Sequence, residues 1–179
     1  MKKLINLYKE ESNNALLSIP TEDIEKFVEF IIKAYKNESK IFACGNGGNV
    51  ASVQNLVLDL NMHPFVSEDK SGRQGNRNNF HAVSLCDSGA TITGITNDLG
   101  FDHIFSEQLK YQAKEGDILF AMSGSGNSSN VIEALKVAKD LKLICIVMTR
   151  NQITKSDDYA DLMLRINSPA STFPGQTGG

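Results

Sequence analysis

Between residues 121 and 131 the sequence reads AMSGSGNSSNV, four serines and two glycines placed directly behind the apolar run DILFA. Ser123, Ser125 and Ser128 stand just ahead of a helical pattern over 128–141. The first N–H groups of a helix have no acceptor within it, so Ser128 can serve as a cap while the remaining amides point outward. Such an end suits a phosphomonoester, which carries roughly −1.5 to −2 charges and three acceptor oxygens. Each hydrogen bond to a charged group contributes about 1.5–3 kcal/mol. Three hydroxyls, the Gly124 backbone and a few amides can therefore hold a phosphate without a lysine. The plain alternative is a capped turn of small residues, but a turn needs one cap, not three converging hydroxyls.

A second loop, GNGGN at 45–49, contains Asn46, Gly47, Gly48 and Asn49. It is neither GxGxxG, because position 50 is Val50, nor a P-loop, because no Lys-Ser/Thr ending follows. Its glycines still allow backbone to approach a ligand. The helical pattern that follows projects Ser52, Asn55 and Asp59 at spacings of three and four. This stripe either faces solvent or presents a carboxylate to the carbons of a sugar phosphate. Asp87 has a similar double reading, as a turn or cap residue or as an acceptor for sugar hydroxyls. Asn97-Asp98 most simply caps a helix near Phe101. His63, His81 and His103 show no metal-ligand spacing and read as surface or packing residues.

The elements that must position these loops follow from the apolar pattern. KIFAC (40–44), HAVSL (81–85), DILFAM (117–122), LICIVM (143–148) and DLMLRI (161–166) are short apolar runs without strict alternation, as in strands buried on both faces. Helical patterns lie between them at 49–60, 101–113 and 128–141. The alternation predicts βαβ units around a parallel sheet, with ligands gathered beyond the strand C-termini. Ahead of the sheet, Leu4, Leu7, Tyr8, Ala15 and Leu16 form one helical stripe. Ile24, Phe27, Val28, Ile31 and Tyr35 form another over 21–37. The expected organisation is one domain over 1–179, with helices in 1–38 and an α/β core in 39–179. SEDKSGRQGNRNNF (67–80), with Lys70, Arg73 and Arg77, breaks the pattern and reads as a solvated loop or as a lid on an anionic ligand.

Composition narrows the functions. With 18 basic and 21 acidic side chains the net charge is −3, which gives no field to attract a nucleic acid. No apolar run approaches the roughly 20 residues that span a bilayer. Cys44, Cys86 and Cys145 are odd in number and lack CxxC spacing, so the expectation is packed free thiols in a reducing cytoplasm. Neither nucleic acid nor membrane is an expected partner.

CGNGGN, LCDSGATITGITNDLGFDHIF and GDILFAMSGSGNSSNVIEAL together resemble the sugar isomerase (SIS) family, and within it the phosphoheptose isomerase group. The resemblance covers nearly the whole chain. It implies a flavodoxin-like, doubly wound α/β fold and a homotetramer with active sites shared between subunits. It also implies interconversion of sedoheptulose 7-phosphate with D-glycero-D-manno-heptose 7-phosphate, for lipopolysaccharide or capsule heptose. By position, Ser123, Ser125 and Ser128 match the family's phosphate-binding hydroxyls, Asn46 and Asn49 lie in its glycine-rich loop, and Asp87 and Asn97 match substrate-side positions.

There are departures. Asn49 and Gly124 stand where the family usually has serine and threonine, and Asn55 stands at a position that is commonly histidine and sometimes a zinc ligand. No metal or other cofactor is therefore expected. The family's catalytic glutamate aligns with Asp59, the candidate base. The C-terminal helix that carries a glutamine and a second catalytic histidine has no counterpart before Gly179, and Gln176 is only a weak match for that glutamine. The competing reading is a non-catalytic SIS module that binds a phosphosugar or the replication initiator.

Overall fold

The computed structural model describes residues 1–73, 79–150 and 152–168. Two helices come first, α1 (Lys2–Leu17) and α2 (Thr21–Lys36). Five strands follow, β1 (Lys40–Gly45), β2 (His81–Ser84), β3 (Ile118–Met122), β4 (Ile144–Arg150) and β5 (Leu162–Ile166). The intervening helices are α3 (Gly48–Met62), α4 (Gly89–Leu99), α5 (Ser106–Gln112) and α6 (Ser129–Asp140). All strand pairs are parallel, in the order β2-β1-β3-β4-β5. This is the flavodoxin-like doubly wound arrangement.

The five apolar runs are the five strands. Every residue of β3 is buried, whereas the edge strand β5 alternates, with Leu162, Leu164 and Ile166 inward. A central strand covered by helices on both faces has no side to leave polar. At the opposite end of the sheet from the candidate loops, Asp117 is fully buried, and its carboxylate accepts the Lys40 N–H at 2.8 Å and the Lys114 N–H at 2.9 Å.

Two helical expectations are corrected. Residues 89–99 form α4, which the sequence pattern did not suggest because Thr91, Ile92, Thr93, Ile95 and Thr96 are β-branched and Gly94 interrupts them. Ser88 caps it, accepting the Thr91 N–H at 3.1 Å, and the Thr93 hydroxyl donates back to Gly89 O at 2.7 Å. The span 101–113 is a 3₁₀ turn at Phe101–His103 followed by the short α5. The apolar stripe of α2 is also wider than its contact with the sheet. Ile31 and Ala34 are buried and the Phe27 ring meets Phe120 at 5.7 Å, but Ile24 and Val28 are each nearly half exposed.

Cys44, Cys86 and Cys145 are free and buried, as expected from their apolar runs. Burial pushes the Cys145 thiol up to about 12, the Cys44 thiol well up and the Cys86 thiol up. Thiolate, the reactive form, is thereby suppressed. All three thiols should resist a water-soluble disulfide reagent in the native protein and react on unfolding in guanidinium. Rapid native modification of any one would contradict this packing.

Candidate functional site

β1 and β3 lie side by side, with Gly45 opposite Met122, but the chain leaves them in opposite directions. After β1 it enters α3, which packs toward β2; after β3 it enters α6, which packs toward β4. A crevice opens at this switch point, and it brings the loops 45–49 and 123–128 together. Gly47 precedes α3 with φ 58° and ψ −123°, a conformation closed to residues with a Cβ. The two helix starts are stapled by carboxamides. Asn46 Nδ2 donates to Asn130 Oδ1 and Asn130 Nδ2 donates to Asn46 Oδ1, both at 2.8 Å. Asn130 is only 1% exposed, so both bonds are shielded from water. Sequence reasoning missed Asn130, whose one signal was an amide in the first turn of the helix after the serine loop.

Of the three serines, Ser123 is buried and its hydroxyl donates to Ser128 Oγ at 3.2 Å. Ser128 occupies the position ahead of α6 but makes no side-chain cap, contrary to the sequence expectation; its hydroxyl accepts from Ser123. A hydroxyl offers one donor and two acceptor sites, so Ser128 keeps its own O–H. Ser125 is exposed, and its Oγ accepts the Asn127 N–H at 3.2 Å. The Ser123–Ser128 pair thus stands at the start of α6, two positions before Asn130, which bonds Asn46 across the switch point. Asn49 reaches across from α3, donating to Met122 O at 3.4 Å.

The residues after β4 grip the far side of the serine loop. Arg150 Nε donates to Gly124 O at 2.9 Å, Gln152 Nε2 to Ser125 O at 3.3 Å, and the Ser156 N–H to Gly126 O at 3.2 Å. The Lys155 N–H donates to Asn127 Oδ1 at 2.9 Å. Gly126, at φ 62°, lies flat on Thr154; a Cβ there would fall 2.6 Å from Thr154 Cβ. Asp157 accepts the Thr154 N–H at 2.8 Å and the Thr154 hydroxyl at 2.9 Å, and it pairs with Arg165 of β5.

The remaining candidates make other contacts, although the Cys86 thiol donates to Gly45 O at 3.5 Å and so keeps the end of β2 beside the 45–49 loop. Asp87 accepts from Gln54 Nε2 at 2.9 Å, so it joins α3 to the β2 end and does not cap α4. Gln54 was another residue missed from sequence. Asn97 is exposed in the last turn of α4 and donates to Asp98 Oδ1 at 2.8 Å; it caps no helix at Phe101, because α4 itself runs through it. Ser52 does not share the polar stripe, since it lines an apolar cavity of about 280 Å³ with Phe27, Phe120 and Met122. Asp59 is held by Asn55 Nδ2 at 3.1 Å and by His63 Nδ1 at 2.9 Å, with its side chain 42% exposed. Ten residues of α3 separate Asn49 from Asp59, about 15 Å along the axis. Arg77 and Gln176 lie outside the described residues.

Among the described residues no three His, Cys, Asp or Glu side chains converge as metal ligands, and Asn55 spends its amide on Asp59. No step is assigned to a metal. Among the described residues no helix is long and apolar enough to cross a membrane.

The SIS domain profile matches residues 8–150. The chain belongs to the SIS domain family. Its relatives within that family include phosphoheptose isomerases. The chain is 33% identical to the Aliarcobacter butzleri phosphoheptose isomerase over 90% of its own length and 81% of that protein's. It is 36% identical to the Neisseria meningitidis phosphoheptose isomerase over 79% of its length, but spans only 65% of that relative. Among solved structures, phosphoheptose isomerase GmhA from Neisseria gonorrhoeae superposes with a TM-score of 0.75 at 30% identity, over 94% of this chain and 82% of that one. A phosphoheptose isomerase from Francisella tularensis gives 0.79 at 27% identity, over 92% and 84%.

Replacing either carboxamide of the staple strands a buried polar partner. Asn130→Ala and Asn46→Ala should each cost about 1–3 kcal/mol in denaturant unfolding. The double variant should cost clearly less than the sum; strict additivity would show that the staple does not couple the loops. The Asp157 carboxyl gives a pH signature. Burial raises its pKa, but the hydrogen bonds from Thr154 and the Arg165 guanidinium outweigh this and hold it below the usual carboxylate range. Its contribution is therefore complete above the unfolded value and is lost as pH falls through the lowered native one. Asp157→Asn should flatten the acid limb of a melting-temperature profile; an unchanged limb would remove the residue from that balance.

Proposed function

We propose that this chain is a phosphosugar aldose–ketose isomerase that converts sedoheptulose 7-phosphate to D-glycero-D-manno-heptose 7-phosphate. The observation that carries the reading is the juxtaposition at the ends of β1 and β3, where Asn46 and Asn49 of the glycine-rich loop bond Asn130 and Met122 O beside the Ser123–Ser128 pair. That arrangement suits a phosphoryl group held at a helix N-terminus, and the phosphoheptose isomerase relatives name the sugar. The product would supply heptose for lipopolysaccharide or capsule, in the cytoplasm.

Such an isomerisation moves a proton between neighbouring carbons through an enediol, which calls for a base and a fixed handle. The handle is the serine loop. Asp59 is the proposed base, its carboxylate oriented from either side by Asn55 and His63. Its distance along α3 from the phosphate loop supports a site completed by a second subunit, in keeping with a homotetramer. The surface supports assembly too: α1 buries none of its residues, and Ile24, Val28 and Ile32 of α2 line up at a spacing of four with each about 45% exposed.

A non-catalytic SIS module is the second reading, favoured by the exposure of Asp59. Incubation with sedoheptulose 7-phosphate in D₂O separates the two. Wild type should incorporate deuterium at the carbon that exchanges, and Asp59→Asn should slow this by about 10²–10⁴. Binding of the sugar phosphate with no deuterium incorporated by wild type would establish the module and end the isomerase reading.

A further inference from the structure

The sequence leaves the candidate phosphate site without cations. Neither Lys nor Arg occurs in 41–69, 85–109 or 117–135, which together contain all three strand-end segments of β1, β2 and β3 and the first turns of α3, α4 and α6. Neutral hydroxyls and amides can hold a phosphate dianion there, but a charged donor nearby would hold it more strongly, since charge-assisted hydrogen bonds are about twice as strong as neutral ones. The charge comes instead from β4. Arg150, the last residue of that strand, is half-buried and sets its Nε 2.9 Å from Gly124 O, in the middle of the serine loop.

That single bond has two physical effects. The peptide linking Gly124 and Ser125 is trans, so its C=O and N–H point to opposite sides. A guanidinium that holds the Gly124 carbonyl on the β4 side turns the Ser125 N–H the other way. The second effect is electrostatic, because the guanidinium stays charged throughout the working pH range. It has spent one of five donors on Gly124, and the two Nη groups carry the others.

We propose that Arg150 is the charge-supplying and positioning residue of the phosphate site, fixing the Gly124–Ser125 peptide and neutralising the phosphoryl group bound by residues 123–128. Arg165, the neighbouring cation on β5, does not share the role, since it is committed to Asp157 and to the Gln152 carbonyl.

The proposal rests on the phosphosugar reading, and the test keeps the two apart. Binding of sedoheptulose 7-phosphate and of inorganic phosphate is measured by calorimetry, beside steady-state kinetics. Arg150→Ala should weaken both ligands by about 10–100-fold. KM should rise by a similar factor while kcat changes little, as when binding shared by ground and transition states is lost. Arg150→Lys restores the charge and should recover most of the affinity. Arg150→Gln keeps a donor for Gly124 O without the charge and should stay weak. Affinity of Arg150→Ala within twofold of wild type overturns the proposal. Should Arg150→Ala prove unfolded by circular dichroism, equal affinities of the Gln and Lys variants overturn it. A wild type that binds neither ligand overturns the phosphosugar reading, and this proposal with it.

Discussion

The head-to-head carboxamide pair of Asn46 and Asn130 is the constraint on which the candidate site depends. Parallel strands that diverge at their C-termini leave a gap, and nothing in the sheet ladder fixes how the two departing helices face each other. Two reciprocal hydrogen bonds from an almost fully buried Asn130 do fix it. Each bond nets only about 1 kcal/mol, but breaking one leaves an amide without water or partner, so the closed arrangement is strongly preferred. The N-termini of α3 and α6 then keep their positive ends toward one crevice. Gly47 makes the turn into α3 possible, and Gly126 lets the serine loop rest on Thr154.

Behind that crevice lies a second layer, built from the residues after β4. Hydrogen-bond donors at Arg150, Gln152 and Ser156 take the carbonyls of Gly124, Ser125 and Gly126 in turn. Drawing these three successive carbonyl oxygens to one side leaves the Ser125 N–H to the other, while the Gly126 N–H closes a turn onto Ser123 O. In the proposed site, preference for an anion would thus be set from behind as much as by the serines themselves. Thr154, Asp157 and Arg165 anchor the donors to β5, so the edge strand contributes to a site it does not touch.

The strands were legible because burial on both faces leaves an apolar run that no helix of five residues could explain, as in ILFAM. The serine and glycine loops were legible because their composition is costly anywhere but a turn or a ligand site. α4 was not legible: its threonines and isoleucines favour extended chain, and the Ser88 cap, packing beside the 3₁₀ turn and the seating of Ile92 and Ile95 on the core hold them helical. Long-range pairings were equally hidden. Asn46 meets Asn130 across 84 positions, and Gln54 meets Asp87 across 33. Nor does any local pattern indicate that Arg150 turns toward Gly124. The cap reading of Ser128 failed, whereas its hydroxyl meets that of Ser123, a contact five positions away that local pattern does not reveal.

The proposed binding and chemistry occupy different mechanical environments in this chain. The serine loop is gripped on one side and stapled on the other, whereas Asp59 sits on an open helix face with 42% of its side chain exposed. Proton abstraction from carbon needs a carboxylate shielded from bulk solvent, since water levels its basicity and quenches an enediol. In the proposed reaction a second surface must therefore cover α3 near Asp59 while leaving the crevice open. The exposed apolar rows of α1 and α2, together with Leu58 and Met62 on α3 itself, are the surfaces available for such cover. The energetic gain from burying them would then be what completes the base, so that in the proposed homotetramer assembly and catalysis are one equilibrium. Substrate affinity, set by residues within one subunit, would be largely independent of it.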